Sequence, residues 1–95
     1  MVTFIVRTSF APEDRAEGAA VAALLAAESR KEPGCITYIP YEIEEDPSAI
    51  LFYEQYTGPE AIEAHCASEH YKKYALSGVM TRAVSQKFEH LSPIV

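Results

Sequence analysis

Three short stretches constrain this chain more than anything else in it. "VTFIVRTSF" (Val2–Phe10), "CITYIPYEI" (Cys35–Ile43) and "ILFYEQYT" (Ile50–Thr57) have the β-branched and aromatic composition of strands. Each also carries apolar residues at both parities. Val2, Phe4, Val6 and Phe10 share one face and Ile5 takes the other. Ile50, Phe52 and Tyr56 oppose Leu51 and Tyr53; Ile36 and Tyr38 oppose Ile39, Tyr41 and Ile43. A sheet with one face in water alternates apolar and polar residues cleanly. This one does not, so both of its faces require cover.

The segments between the strands supply helices for one face. Pro12 suits a first helical turn, where no N–H is needed. Glu13, Asp14 and Glu17 at that end, with Arg30 and Lys31 at the other, complement a helix dipole. Ala16, Ala20, Leu24 and Ala27, with Ala23 beside them, recur at helical spacing and are the expected apolar stripe. "EPG" (32–34) ends this helix. Pro40 makes the second strand an edge strand or a bulge, because proline cannot donate to a ladder. "EEDPSA" is the expected turn into the third strand. "TGPE" starts a helix carrying "PEAIEAHCA"; Ser68 is a candidate N-cap, predicting a break and a second helix over about 69–76. "SQKFEHLSPI" (Ser85–Ile94) is the last strand. The order β-α-β-β-α-β is the ferredoxin-like α+β plan, with a four-stranded antiparallel sheet and helices on one face. The other face then calls for a second copy of the sheet in a two-fold homodimer, which removes roughly 800 Å² per partner. The 95 residues are expected to form a single domain, 1–95, near the lower size limit for a self-sufficient core.

A formal net charge of −6 opposes binding to nucleic acid or to an anionic membrane, each of which needs a concentrated basic face. No apolar run is long enough to span a bilayer, and "MVTFIVRTSF" is too short and too polar for a secretory signal. The two cysteines, Cys35 and Cys66, form no CxxC and are expected to be reduced thiols of a cytoplasmic protein.

"EAHCASEHYKKY" (63–74) concentrates the reactive side chains. Its spacing argues against a metal centre. Cys66 and His70 are four apart, but His65 and His70 are five apart and would diverge on a continuous helix, and Ser68 interrupts that helix. Cys66 reads as a small buried apolar residue. His65, with an ordinary pKa near 6.5, is the candidate base; alternatively it is a structural group bonded across the helix–sheet seam. Glu54, inside "FYEQY", requires a partner or water: it is a second acid/base group, or it bonds a backbone N–H or a cation such as Arg7 or Arg82. Tyr56, Tyr38 and Tyr74 are candidate walls for a flat substrate, or core packing with wet hydroxyls. His70 marks a helix start at the rim of a pocket, and His90 reads as surface.

The run "EPGCITYIPYEI…AILFYEQYTGPEAIEAHCASEHYKKY" resembles the antibiotic biosynthesis monooxygenase domain, whose members show "EPGC…Y", a strand ending "YE-x-W" and a helix with "EAH…S-x-H". The resemblance implies a dimeric α+β barrel with sheets face to face and a pocket between each sheet and its helices. It also implies oxygenation of electron-rich aromatics, quinols and anthrones, without metal, flavin or other cofactor. On that reading the partner is a small aromatic or keto substrate, His65 and Glu54 are catalytic, and Tyr56, Tyr38, Tyr74 and His70 bind substrate. The chain departs from the family pattern in having no Trp and no Asn; Tyr56 stands where the motif has Trp. Other branches of the resemblance leave two alternatives, an isomerase acting on a keto or dione substrate and a non-catalytic small-molecule binding module.

Overall fold

A computed structural model describes residues 1–95. Strand β1 (Val2–Phe10) leads through a single 3₁₀ turn, Pro12–Asp14, into α1 (Arg15–Ser29). Strands β2 (Cys35–Ile43) and β3 (Asp46–Tyr56) form a hairpin. α2 (Pro59–Ala67) follows, then a third helix, α3, helical over 69–82. It is wound as a π-helix over Tyr71–Val79 and ends in one α turn, Met80–Arg82. β4 (Ala83–Leu91) closes the chain. The sheet is antiparallel with order β2-β3-β1-β4. It is the expected ferredoxin-like α+β fold.

The helices lie on the face that carries Phe4, Val6, Thr8 and Phe10 of β1 and Ile50, Phe52, Glu54 and Tyr56 of β3, all buried. The core is built there with Tyr38, Ala22, Leu25, Ala26, Ala75 and Val79. The opposite face presents Ile5, Ile39, Leu51 and Tyr53 half-buried and Tyr41 exposed. Pro40 lies in an edge strand, as its missing N–H requires.

Several local expectations need correction. The helical stripe is wrong: Ala16, Ala20, Ala23, Leu24 and Ala27 are all exposed, and Gly18, Ala22, Leu25, Ala26 and Ser29 face the core. With alanine on every side, periodicity cannot choose the docking face; close packing does. A Cβ on Gly18 would stand 2.8 Å from the Phe10 ring, so only glycine lets α1 sit down there. Arg30 and Lys31 fall beyond the helix end; the Arg30 Nε donates to the Tyr38 carbonyl at 2.9 Å, tying the helix exit to β2. The β2–β3 turn is the tight pair Glu44–Glu45, and β3 begins at Asp46, whose carboxylate receives the Ser48 N–H and hydroxyl and the Arg7 guanidinium. Ile36 is exposed although Tyr38 is buried, because a bulge between Cys35 and Thr37 rotates the strand between them. α3 runs six residues past the expected end, to Arg82, and β4 starts and stops earlier than expected.

The break at Ser68 is present. Ser68 is extended (φ −72°, ψ 153°), its hydroxyl donates to the His65 carbonyl at 2.6 Å, and it accepts the Tyr71 N–H at 3.2 Å. One side chain thus closes α2 and caps α3. The change of direction there places the two histidines.

Candidate active site

His65 is on the last turn of α2 and faces the sheet, one helical turn after Ile62. The residue is buried, 3% exposed. It packs edge-on against Tyr71 at 5.0 Å between centroids, and tilted against Tyr56 at 5.4 Å and Tyr38 at 5.7 Å. Its Nδ1 lies 2.8 Å from Oε2 of Glu32, in the "EPG" loop. His70 Nε2 bonds the same oxygen. The two histidines therefore converge on Glu32, contrary to the divergence their five-residue spacing suggests. They are not on one continuous helix, and the Ser68 break turns His70 back toward the loop.

Glu32 is the residue that the sequence reading missed as a functional group. It stood in view in "EPG" but read as a helix terminator, and nothing local marks its 33-residue separation from His65. Its loop is held by a close approach: Gly34 abuts Ala61 of α2, leaving no room for a side chain.

Between the sheet and the helices is a cavity of about 120 Å³ that reaches Gln86 and Phe88 of β4. Phe4, Tyr38, Phe52, Tyr71 and Phe88 supply aromatic walls, and aliphatic side chains such as Val6, Leu25, Ile62 and Val79 lie between them. The polar groups on it are Glu54, His65, Cys66 and Gln86. His65 Nδ1 is engaged with Glu32, so Nε2 is the ring atom without a protein partner. Glu54 accepts the Tyr56 hydroxyl at 2.7 Å. Burial raises its pKa to about 7; the Tyr56 hydrogen bond opposes this and the Glu32 charge adds to it. Its partner is neither Arg7, which pairs with Asp46, nor Arg82, which donates to the Gly78 carbonyl. Burial also raises the phenols of Tyr38 and Tyr56 well above the usual tyrosine range.

Three of the six expected site residues, His65, Glu54 and Tyr38, reach the cavity wall. Tyr56 and His70 do not: Tyr56 is fully buried behind Glu54 and His65, and His70 touches the site only through Glu32. Tyr74 lies off the cavity with the Lys73 ammonium 5.2 Å above its ring. Tyr71, on the same helix, takes the position expected of it. Cys66 is exposed and on the wall rather than buried. His90 is at the surface, as expected, against Phe4.

A cavity walled by aromatic rings, with a few convergent titratable groups, is the candidate small-molecule site. The family model for antibiotic biosynthesis monooxygenases matches residues 1–75. The chain belongs to that family. A solved antibiotic biosynthesis monooxygenase superposes with a TM-score of 0.90 at 21% identity, covering 100% of both chains. A structure from Mycobacterium tuberculosis gives 0.87 at 25% identity, covering 99% of this chain and 95% of that one. An uncharacterized protein of Synechocystis is 30% identical over 63 residues, which is 66% of this chain. The chain spans 43% of the length of that curated relative. No helix is long and apolar enough to cross a membrane. With the Glu32 carboxylate accepting from Nδ1, a neutral His65 ring keeps its lone pair on Nε2.

Proposed function

We propose that the protein is a monooxygenase of quinols or similar electron-rich aromatics, drawing its electrons from the substrate itself. The observation that carries this reading is the pairing, on one aromatic-walled cavity, of an oriented imidazole and a carboxyl group poised near neutrality. Phe4, Tyr38, Phe52 and Phe88 hold a flat ring. His65 Nε2 takes a phenolic proton, and the resulting anion, sheltered from water, is the species able to reduce O₂. Glu54, half-protonated near pH 7, holds a proton on the same wall for the oxygen that leaves as water. Overall a dihydroxyaromatic and O₂ give a hydroxyquinone and water: one oxygen atom enters the ring and the other leaves in water. A tuned base of this kind contributes about 10²–10⁴-fold. The apolar face of Ile5, Ile39, Leu51 and Tyr53 supports assembly as a homodimer, sheet against sheet.

Incubation of reduced menadione and related quinols under ¹⁸O₂ tests the reading. One labelled atom per product, with enzyme-dependent oxygen uptake, is expected. Turnover of a keto or dione substrate under nitrogen, with no oxygen uptake, would assign the cavity to isomerisation instead. Ligand-induced melting shifts without turnover would make it a binding module.

A further inference from the structure

Behind the cavity, three donor atoms from three separate elements meet: Glu32 Oε2 from the α1–β2 loop, His65 Nδ1 from α2 and His70 Nε2 from the start of α3. All lie within 4.8 Å of one another. Their side chains are 13%, 4% and 19% exposed, so the cluster is shielded without being sealed. No lysine or arginine pairs with Glu32. Both of its partners sit on one oxygen, and the other, Oε1, is buried with no hydrogen-bond partner. The carboxylate therefore keeps an unused acceptor oxygen inside the cluster.

We infer that Glu32, His65 and His70 form a binding site for a zinc-class divalent cation. Two imidazole nitrogens and one carboxylate are the donor set of borderline ions such as zinc, not of magnesium or calcium, which take oxygen. Ligands at about 2.0–2.2 Å from a tetrahedral ion stand about 3.4 Å apart. Both histidines would part from Glu32 to admit it, His65 by about half an ångström and His70 by more, and no donor pair would close by more than about 1.4 Å, on the same bond lengths. Glu32 lies in a loop and His70 beside the Ser68 break, so both can make that adjustment. Bidentate coordination would also engage the orphaned Oε1.

Neither Glu32 nor His70 lines the cavity, so the ion touches no bound ring. It acts through His65. With Nδ1 hydrogen-bonded to Glu32, the lone pair is on Nε2. With Nδ1 on a metal, the neutral ring must carry its proton on Nε2, and the acceptor facing the cavity becomes a donor. Occupancy therefore removes the base. This last consequence rests on the proposed function, whereas binding and the tautomer change do not.

The test uses Co²⁺ as the probe, titrated into the full chain and followed by its visible absorption, with Zn²⁺ competing. One saturable Co²⁺ per chain is expected, displaced by Zn²⁺. Glu32→Gln and His70→Ala, each checked for an intact melting transition, should weaken binding at least tenfold, and Cys66→Ser should not. Long-range ¹H–¹⁵N spectra of histidine-labelled protein should show the His65 proton on Nδ1 without metal and on Nε2 with Zn²⁺. The absence of saturable binding up to millimolar metal would overturn the site, as would affinity unchanged in both Glu32→Gln and His70→Ala. An Nε2 lone pair that persists at saturation would overturn the tautomer change. If no quinol is ever oxidised, the binding and spectroscopic results still decide the site.

Discussion

Glu54 should leave a signature in the pH dependence of stability, and Glu54→Gln isolates it. Burial raises the Glu54 carboxyl from its ordinary 4.5 to about 7 in the folded chain. A group whose folded pKa is raised keeps its proton longer in the native than in the unfolded state. Between about pH 4.5 and 7 the native state therefore binds more protons, and stability falls as pH rises. Integrated over that window, ionising Glu54 inside the fold costs about 3 kcal/mol at pH 8 relative to pH 4. Glutamine keeps the volume and can still accept the Tyr56 hydroxyl, but never ionises. Urea denaturation of wild type and Glu54→Gln at fixed protein concentration, at half-unit intervals from pH 4 to 8, gives the difference directly, with the three histidines common to both curves. Near pH 4 the two proteins should be close in stability, and by pH 8 the variant should lead by about 3 kcal/mol. A difference that stays flat within about 0.5 kcal/mol across the range would refute the raised pKa, and with it the role of Glu54 as a proton store near neutrality.

Gly34→Ala forces a methyl group against Ala61 and should destabilise the chain by about 1–3 kcal/mol. By pushing the Glu32 loop from α2 it should also loosen the His65 contact, visible as a shifted His65 ring resonance. Ser68→Ala removes the cap of α3 and should cost about 1 kcal/mol in urea melts. Leu51→Glu, on the uncovered sheet face, should convert a dimer to a monomer in sedimentation at micromolar concentration while leaving the helical signal intact. A dimer that survives would place the interface elsewhere.

The strands and their order along the chain were legible because composition and parity are local properties of a few residues. Val2–Phe10 and Cys35–Ile43 end where their composition changes, and the break at Ser68 follows from a hydroxyl that bonds its neighbours. The docking face of α1 was not legible. In "RAEGAAVAALLAAES" almost any stripe is apolar, and the choice belongs to Gly18 meeting Phe10 and Gly78 of α3 meeting Val21. The π-helical winding over Tyr71–Val79 has no signal in the sequence reading either. At the site, His65, Glu54 and Tyr38 were found because their residue types are conspicuous on short elements. Glu32 is not legible because its contact with His65 is long-range, and nothing local in the sequence separates Tyr71, which reaches the cavity wall, from Tyr74, which does not. Tyr56 was placed one layer too far forward: its face was right, but depth beneath the wall is set by what packs above it.

The most direct measurement is oxygen uptake by the metal-free protein with a panel of quinols, comparing wild type with His65→Gln after both are shown to be folded. The proposed mechanism predicts one O₂ consumed per quinol and a fall in kcat of about 10²–10⁴-fold on removing the imidazole. Uptake by His65→Gln equal to that of wild type, or wild-type uptake no faster than in buffer alone for every quinol, would contradict it.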